Sequence, residues 1–162
     1  MPKKPYAYAV LEGIAQEMRK NKAMCFFYEY QSPTATMPTG EILDLWKEFG
    51  TPRTSGWGWA VDEAWYIGCA TGIALTGVPV VVCVPYMAMG MTFEIIFQQV
   101  SKRYYMTGGV QNIPLVIRID GSGRSAAMAA QHSDVGQEAI YANMPGLKVV
   151  VPSNAYDAKG LM

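Results

Sequence analysis

The chain has 162 residues, 51% of them hydrophobic, and its 13 basic and 13 acidic residues give a formal net charge of zero. That length fits one domain able to bury about two-thirds of its unfolded surface, and the apolar content excludes a disordered chain. The balanced charge leaves no basic footprint for nucleic acid or an anionic membrane.

Ala7, Leu11, Ile14, Ala15 and Met18 recur at helical spacing and predict an amphipathic helix over 6–20. Residues 23–30 are rich in aromatics and predict a strand. A Pro/Thr/Gly loop is expected over 32–40, a short helix over 41–49, and a Gly/Trp-rich connection over 51–59. A helix made largely of small residues opens at Glu63, and after Gly77 a valine-rich strand over 78–84 has the composition of a buried parallel strand. A helix is predicted over 93–105, a strand over 114–119, a Gly/Ser/Ala loop over 120–130 and a helix over 134–143. Residues 147–151 predict another strand, and a last helix starts at Asn154. Strands alternate with helices and nothing repeats. The prediction is therefore a single α/β domain over 1–162, with a mostly parallel sheet flanked by helices. In such sheets ligands sit outside the carboxyl ends of the strands, which puts Glu63, the Tyr86 region and the 120–132 loop at the ligand edge.

Cys25, Cys69 and Cys83 lie in apolar runs without CxxC spacing, so they read as buried, reduced thiols and not as metal or disulfide partners. The opening Met1-Pro2-Lys3-Lys4-Pro5 has no apolar signal core behind it, and no apolar stretch approaches the ~20 residues that span a bilayer. A cytoplasmic protein is expected, although a matrix protein with its transit peptide removed reads the same. Eleven methionines, four tryptophans and ten tyrosines are more than one such interior holds. Apolar surface left over in this way usually meets a partner.

A few residues stand out chemically. Glu63 sits in a first helical turn, where an acid also simply favours the helix dipole, a role that Asp62 fits better. Gly68 and Gly72, four apart, let another backbone approach, either the domain's own sheet or a second subunit. His132, the only histidine, follows a loop able to present it to a cleft. Glu29 ends the first predicted strand, and Tyr86 and Met87 follow the valine strand. Gly121-Ser122-Gly123 lacks the lysine and spacing of a P-loop and reads as a flexible loop.

Several runs keep a particular order and spacing: Asp62-Glu63-Ala64-Trp65-Tyr66-Ile67-Gly68, Tyr104-Tyr105-Met106-Thr107-Gly108-Gly109 and Ala129-Ala130-Gln131-His132-Ser133, then Pro145-Gly146-Leu147-Lys148-Val149-Val150-Val151-Pro152-Ser153 and Asp157-Ala158-Lys159-Gly160-Leu161. Together they resemble the pyrimidine-binding domain of the thiamine-diphosphate-dependent 2-oxoacid dehydrogenases, in the β-subunit of the E1 component. The resemblance covers about 63–162. It implies that Glu63 hydrogen-bonds N1′ of the cofactor's aminopyrimidine and favours its imino tautomer, for which an apolar setting suits the carboxyl. It implies that His132 donates a proton to the substrate carbonyl or orients the acyl group. Tyr86 and Met87 would lie against the pyrimidine ring, with Glu29 near it. The sequence has no Gly-Asp-Gly followed by Asn, so Mg²⁺ and the diphosphate would fall to an α-type partner.

The implied activity is decarboxylation of a pyruvate-like 2-oxoacid with acyl transfer to a lipoyl carrier. The implied assembly is an α2β2 heterotetramer that meets a lipoyl-bearing E2 component. The family's domain continues beyond a last helix of this kind and a second domain follows, so a fragment or a split subunit is expected. The sequence departs from the family at Tyr28-Glu29-Tyr30 and at Ser55-Gly56-Trp57-Gly58-Trp59-Ala60-Val61, beside the expected substrate pocket. Those departures keep two alternatives open: a diverged lyase or carboligase of the acetoin type, and a non-catalytic assembly subunit.

Overall fold

Helix α1, Tyr6–Lys20, forms as its spacing predicts, with Leu11, Ile14, Ala15 and Met18 on the buried side. The computed structural model describes residues 3–28, 33–56, 62–85, 89–120 and 138–162. Strand β1, Cys25–Tyr28, follows α1, and then β2, Thr34–Thr36, pairs antiparallel with β3, Ile42–Asp44. The expected helix over 41–49 is thus half strand. Ile42 and Leu43 pair with Thr36 and Ala35, and Asp44 then accepts a hydrogen bond from the Lys47 N–H, so that helix α2 begins only at Leu45–Phe49.

The 51–59 connection holds a short strand, β4, Thr54–Gly56. Arg53 anchors its start, donating to the carbonyl oxygens of Met18, Asn21 and Met24 at the end of α1 and the entry to β1. Helix α3, Glu63–Leu75, leads to β5, Val80–Pro85, as expected. The next helix begins at Met89, ahead of the expected start. It runs as α4, Met89–Glu94, a π-helical stretch, Ile95–Val100, and α5, Arg103–Met106. Strand β6, Leu115–Asp120, helix α6, Glu138–Ala142, and helix α7, Ala155–Leu161, complete the described elements. The run 147–151 pairs with no described strand, contrary to expectation. Its valines satisfy local propensity, but a ladder also needs a neighbouring edge in register.

The four long-range strands are parallel in the order β4-β1-β5-β6. Alternation along the central strands builds a core on each face. Phe26, Val81 and Cys83 face α1, with Leu11, Ile14, Met18 and Leu45. Phe27, Val80, Val82 and Val84 face the other way, with Tyr66, Ile67, Ala70 and Ala74 of α3 and Ile96 of the π stretch. Burial on both faces explains the valine run of β5.

Helix α7 packs on α1, so close that a Cβ on Gly13 would meet the Lys159 carbonyl oxygen at 3.0 Å. Glu12 joins the two helices, paired with Lys4 at 2.6 Å and Lys159 at 2.9 Å. None of the three cysteines forms a disulfide among the described residues. Cys83 is buried as expected, but Cys25 and Cys69 are only partly covered. Burial pushes both of their thiols up, which keeps them protonated and unreactive.

Candidate functional site

The carboxyl ends of the parallel strands converge on one edge. Tyr28 lies opposite Gly56 and Cys83, and Pro85 opposite Asp120. Helix α3 enters beside that edge. Its N-cap is Asp62, whose extended backbone (φ −145°, ψ 92°) lets the carboxylate accept from the Trp65 N–H at 3.0 Å. The first intrahelical bond, from the Tyr66 N–H to the Asp62 carbonyl at 3.2 Å, ends on the same residue.

Capping sets the phase of the helix. Glu63, Tyr66, Ile67, Ala70, Thr71 and Ala74 form one buried face. Trp65, two residues after Glu63, turns outward and is 47% exposed. The burial of Glu63 therefore follows the phase of the helix. Glu63 is 3% exposed, and its Oε2 has no hydrogen-bond partner. The buried Thr71 hydroxyl on the same helix is satisfied by donating to the Ile67 carbonyl at 2.7 Å. An unsatisfied buried polar atom costs roughly 1–3 kcal/mol, more for charged groups.

Among the described residues one other buried side-chain oxygen is orphaned, Thr54 Oγ1. Thr54 opens β4 opposite Phe26, at the amino end of its strand. Glu63 alone combines an orphaned oxygen with the ligand edge. A carboxyl there can donate its proton to a heterocyclic nitrogen or accept from an amine, which is the chemistry that an aminopyrimidine requires. Glu63 therefore offers the hydrogen-bonding chemistry that the pyrimidine of thiamine diphosphate would need. No group of three or more His, Cys, Asp or Glu that could hold a metal ion occurs among the described residues.

Gly68 faces the Ile95 side chain, with 3.7 Å from an added Cβ to Cδ1, so it serves packing within the domain; Gly72 has nothing within 4 Å. The π stretch above it is marked by an i to i+5 bond, Ser101 N–H to the Ile96 carbonyl at 2.9 Å. Phe93 and Phe97 stack at 5.3 Å, and Lys102 lies over the Phe97 ring at 3.7 Å. Tyr105 and Val110, near the end of this helix, are 88% and 87% exposed, in keeping with the surplus of large apolar residues in the composition. Glu29, Tyr86, Met87 and His132 lie outside the described residues, as do residues 57–61 and 121–137. Sequence reasoning missed the capping role of Asp62, although an aspartate immediately before a helical run is its usual signal.

The family model described as "Transketolase, pyrimidine binding domain" matches residues 39–162. Pyruvate dehydrogenase E1 component subunit beta, mitochondrial, of Homo sapiens is 38% identical over 119 residues, 73% of this chain and 32% of that protein. Pyruvate dehydrogenase E1 component subunit beta of Rhizobium meliloti is 35% identical over 159 residues, 95% of this chain and 33% of that protein. Acetoin:2,6-dichlorophenolindophenol oxidoreductase subunit beta of Bacillus subtilis is 40% identical over 125 residues, 76% and 35% of the two chains. The aligned part of this chain thus spans about a third of the length of these curated relatives.

Proposed function

The chain belongs to the transketolase pyrimidine-binding-domain family, and from that premise we propose that it supplies the pyrimidine half of a split thiamine-diphosphate site. It would act as the β-type subunit of an enzyme that decarboxylates a pyruvate-like 2-oxoacid and passes the acyl group to a lipoyl carrier. The observation that carries this reading is Glu63, a buried carboxyl at the ligand edge with Oε2 unpartnered. Thiamine diphosphate, when bound, supplies the carbon nucleophile and the electron sink for decarboxylation. Glu63 holds a proton at Oε2 that it shares with N1′ of the pyrimidine. The fold around α3 keeps water away from that carboxyl. His132 donates a proton to the substrate carbonyl or orients the acyl group, and Tyr86, Met87 and Glu29 line the ring.

An α-type subunit would hold Mg²⁺ and the diphosphate, in an α2β2 heterotetramer that meets a lipoyl-bearing E2 component. No helix of the described residues is long and apolar enough to cross a membrane. We place the chain in the cytoplasm as part of this reading; the relatives include both bacterial and mitochondrial proteins. Native mass spectrometry of the chain co-expressed with its α-type partner, with and without thiamine diphosphate and Mg²⁺, tests the reading. One cofactor mass per αβ pair, gained by the heteromer alone, is the expected result. A homo-oligomer or monomer indifferent to the cofactor overturns it.

A second reading, an acetoin-cleaving enzyme, draws support from the 40% identity to the acetoin oxidoreductase subunit and from the altered run at 55–61. Turnover of acetoin but not pyruvate, with 2,6-dichlorophenolindophenol as acceptor, would favour it.

A further inference from the structure

We propose that Asp62 is a positioning residue for the candidate site, whose N-cap holds Glu63 on the buried face of α3 with Oε2 free for a ligand nitrogen. The inference rests on the thiamine-diphosphate reading of that oxygen. Glu63 is the first residue of α3, so it shares the face of Tyr66, Ile67 and Ala70 only while the first turn is wound. Two bonds tie that turn down: Trp65 N–H to the Asp62 carboxylate at 3.0 Å, and Tyr66 N–H to the Asp62 carbonyl at 3.2 Å. Both end on Asp62.

Glu63 pulls the other way. Its oxygen is buried without a partner, and unwinding the turn would return it to water. A side-chain cap and an orphaned polar atom are worth comparable amounts, so the cap decides the balance. A ligand that bonds Oε2 binds only the wound turn, and its apparent affinity falls in proportion to the fraction wound. Asp62 therefore sets cofactor affinity from outside the pocket: it is exposed and spends its carboxylate on the helix.

The test uses the chain assembled with its α-type partner and measures the thiamine diphosphate dissociation constant, the thermal midpoint and amide exchange at Trp65. Three variants are compared: Asp62→Ala, which removes the cap; Asp62→Asn, which keeps a cap but loses the charge; and Asn154→Ala, which removes the equivalent cap of α7, where Asn154 accepts from the Asp157 N–H at 2.9 Å. Asp62→Ala should weaken binding measurably, by up to about fivefold, and speed Trp65 exchange by about fivefold. Asp62→Asn should bind within about twofold of wild type, since Asn caps as well as Asp. Asn154→Ala should lower the thermal midpoint without changing affinity.

Equal binding by Asp62→Ala and wild type overturns the inference, and so does an Asp62→Asn variant as weak as Asp62→Ala. If the wild-type assembly takes up no thiamine diphosphate, the proposed function itself fails and this inference goes with it. A wild type that binds beside an Asp62→Ala variant that binds equally well refutes the positioning role alone.

Discussion

Glu63→Leu should make the cofactor-free protein more stable while abolishing its cofactor binding. Leucine has a similar volume and keeps the buried face of α3 apolar, alongside Tyr66 and Ile67. The substitution removes a carboxyl oxygen that is buried with no partner, which relieves roughly 1–3 kcal/mol. For a protein of this size each kcal/mol moves the thermal midpoint by about 2–4 °C, so the expected rise is roughly 2–12 °C. Thermal unfolding of the chain alone, followed by circular dichroism, reads the first half of the claim, and the same measurement on the chain assembled with its α-type partner, with and without thiamine diphosphate and Mg²⁺, reads the second. At a hundredfold excess over its dissociation constant the cofactor adds ~2.7 kcal/mol to a protein that binds it. Wild type should then gain on the variant or overtake it, and the variant should not respond. A cofactor-free Glu63→Leu protein that melts below wild type would refute the reasoning, because it would mean that Glu63 already has a stabilising partner.

Three further predictions concern the scaffold. Thr54→Val should stabilise the fold by about 1 kcal/mol in urea unfolding, since the Thr54 hydroxyl is fully buried without a partner; a loss of stability would reveal one. Gly146→Ala should cost roughly 2–5 kcal/mol, because Gly146 has φ +93° and an added Cβ would lie 2.0 Å from the Ser101 carbonyl oxygen; a urea midpoint equal to wild type would count against that close approach. Tyr8 donates to Glu41 at 2.6 Å, and that bond, followed by burial and the Glu41 charge, pushes its hydroxyl up to about 12. The raised value means that the pair's stability is fully present below pH 10.0 and drains away as pH rises through about 12. The wild-type minus Tyr8→Phe difference in an ultraviolet titration should show one tyrosinate step near 12; a step at the ordinary value would break the link to Glu41.

Elements with many periodic residues were legible in the sequence. Helix α1 matches its predicted bounds, and β5 announces itself through valines buried on both faces. Short elements fixed by distant groups were not. Nothing local marks Thr54–Gly56 as a strand, because part of what anchors it is the Arg53 side chain reaching carbonyls near the end of α1. Residues 41–49 have helical spacing, yet the pairing of Ile42 and Leu43 with β2 and the Asp44 cap delay the helix to Leu45. The valines at 149–151 illustrate the opposite failure, strong propensity with no paired edge among the described residues. The π stretch gains one residue per turn without any change in composition that could signal it. For the candidate site, the family pattern singled out Glu63, but its burial depends on helical phase and is not marked by Trp65, which faces outward.

Position in the fold separates the two orphaned oxygens, and the separation bears on function. Both break the rule that buried polar groups find partners. The hydroxyl of Thr54 is neutral and sits at the amino end of β4, opposite Phe26 and away from the carboxyl ends of the strands. A local defect of that kind is the smaller one for a fold to tolerate. The carboxyl of Glu63 is harder to leave unsatisfied, and it is held in place by a cap, at the head of a helix that enters where the parallel strands end. Sequences that otherwise agree with their fold at every level tend to violate local rules at functional sites, because a group poised for a ligand cannot also be satisfied by the protein. A structural carboxylate at the start of α3 would serve the helix equally well facing solvent, as Asp62 does. Burial therefore adds nothing to the helix that exposure would not, and in the proposed function the compensating gain comes from a ligand of Oε2.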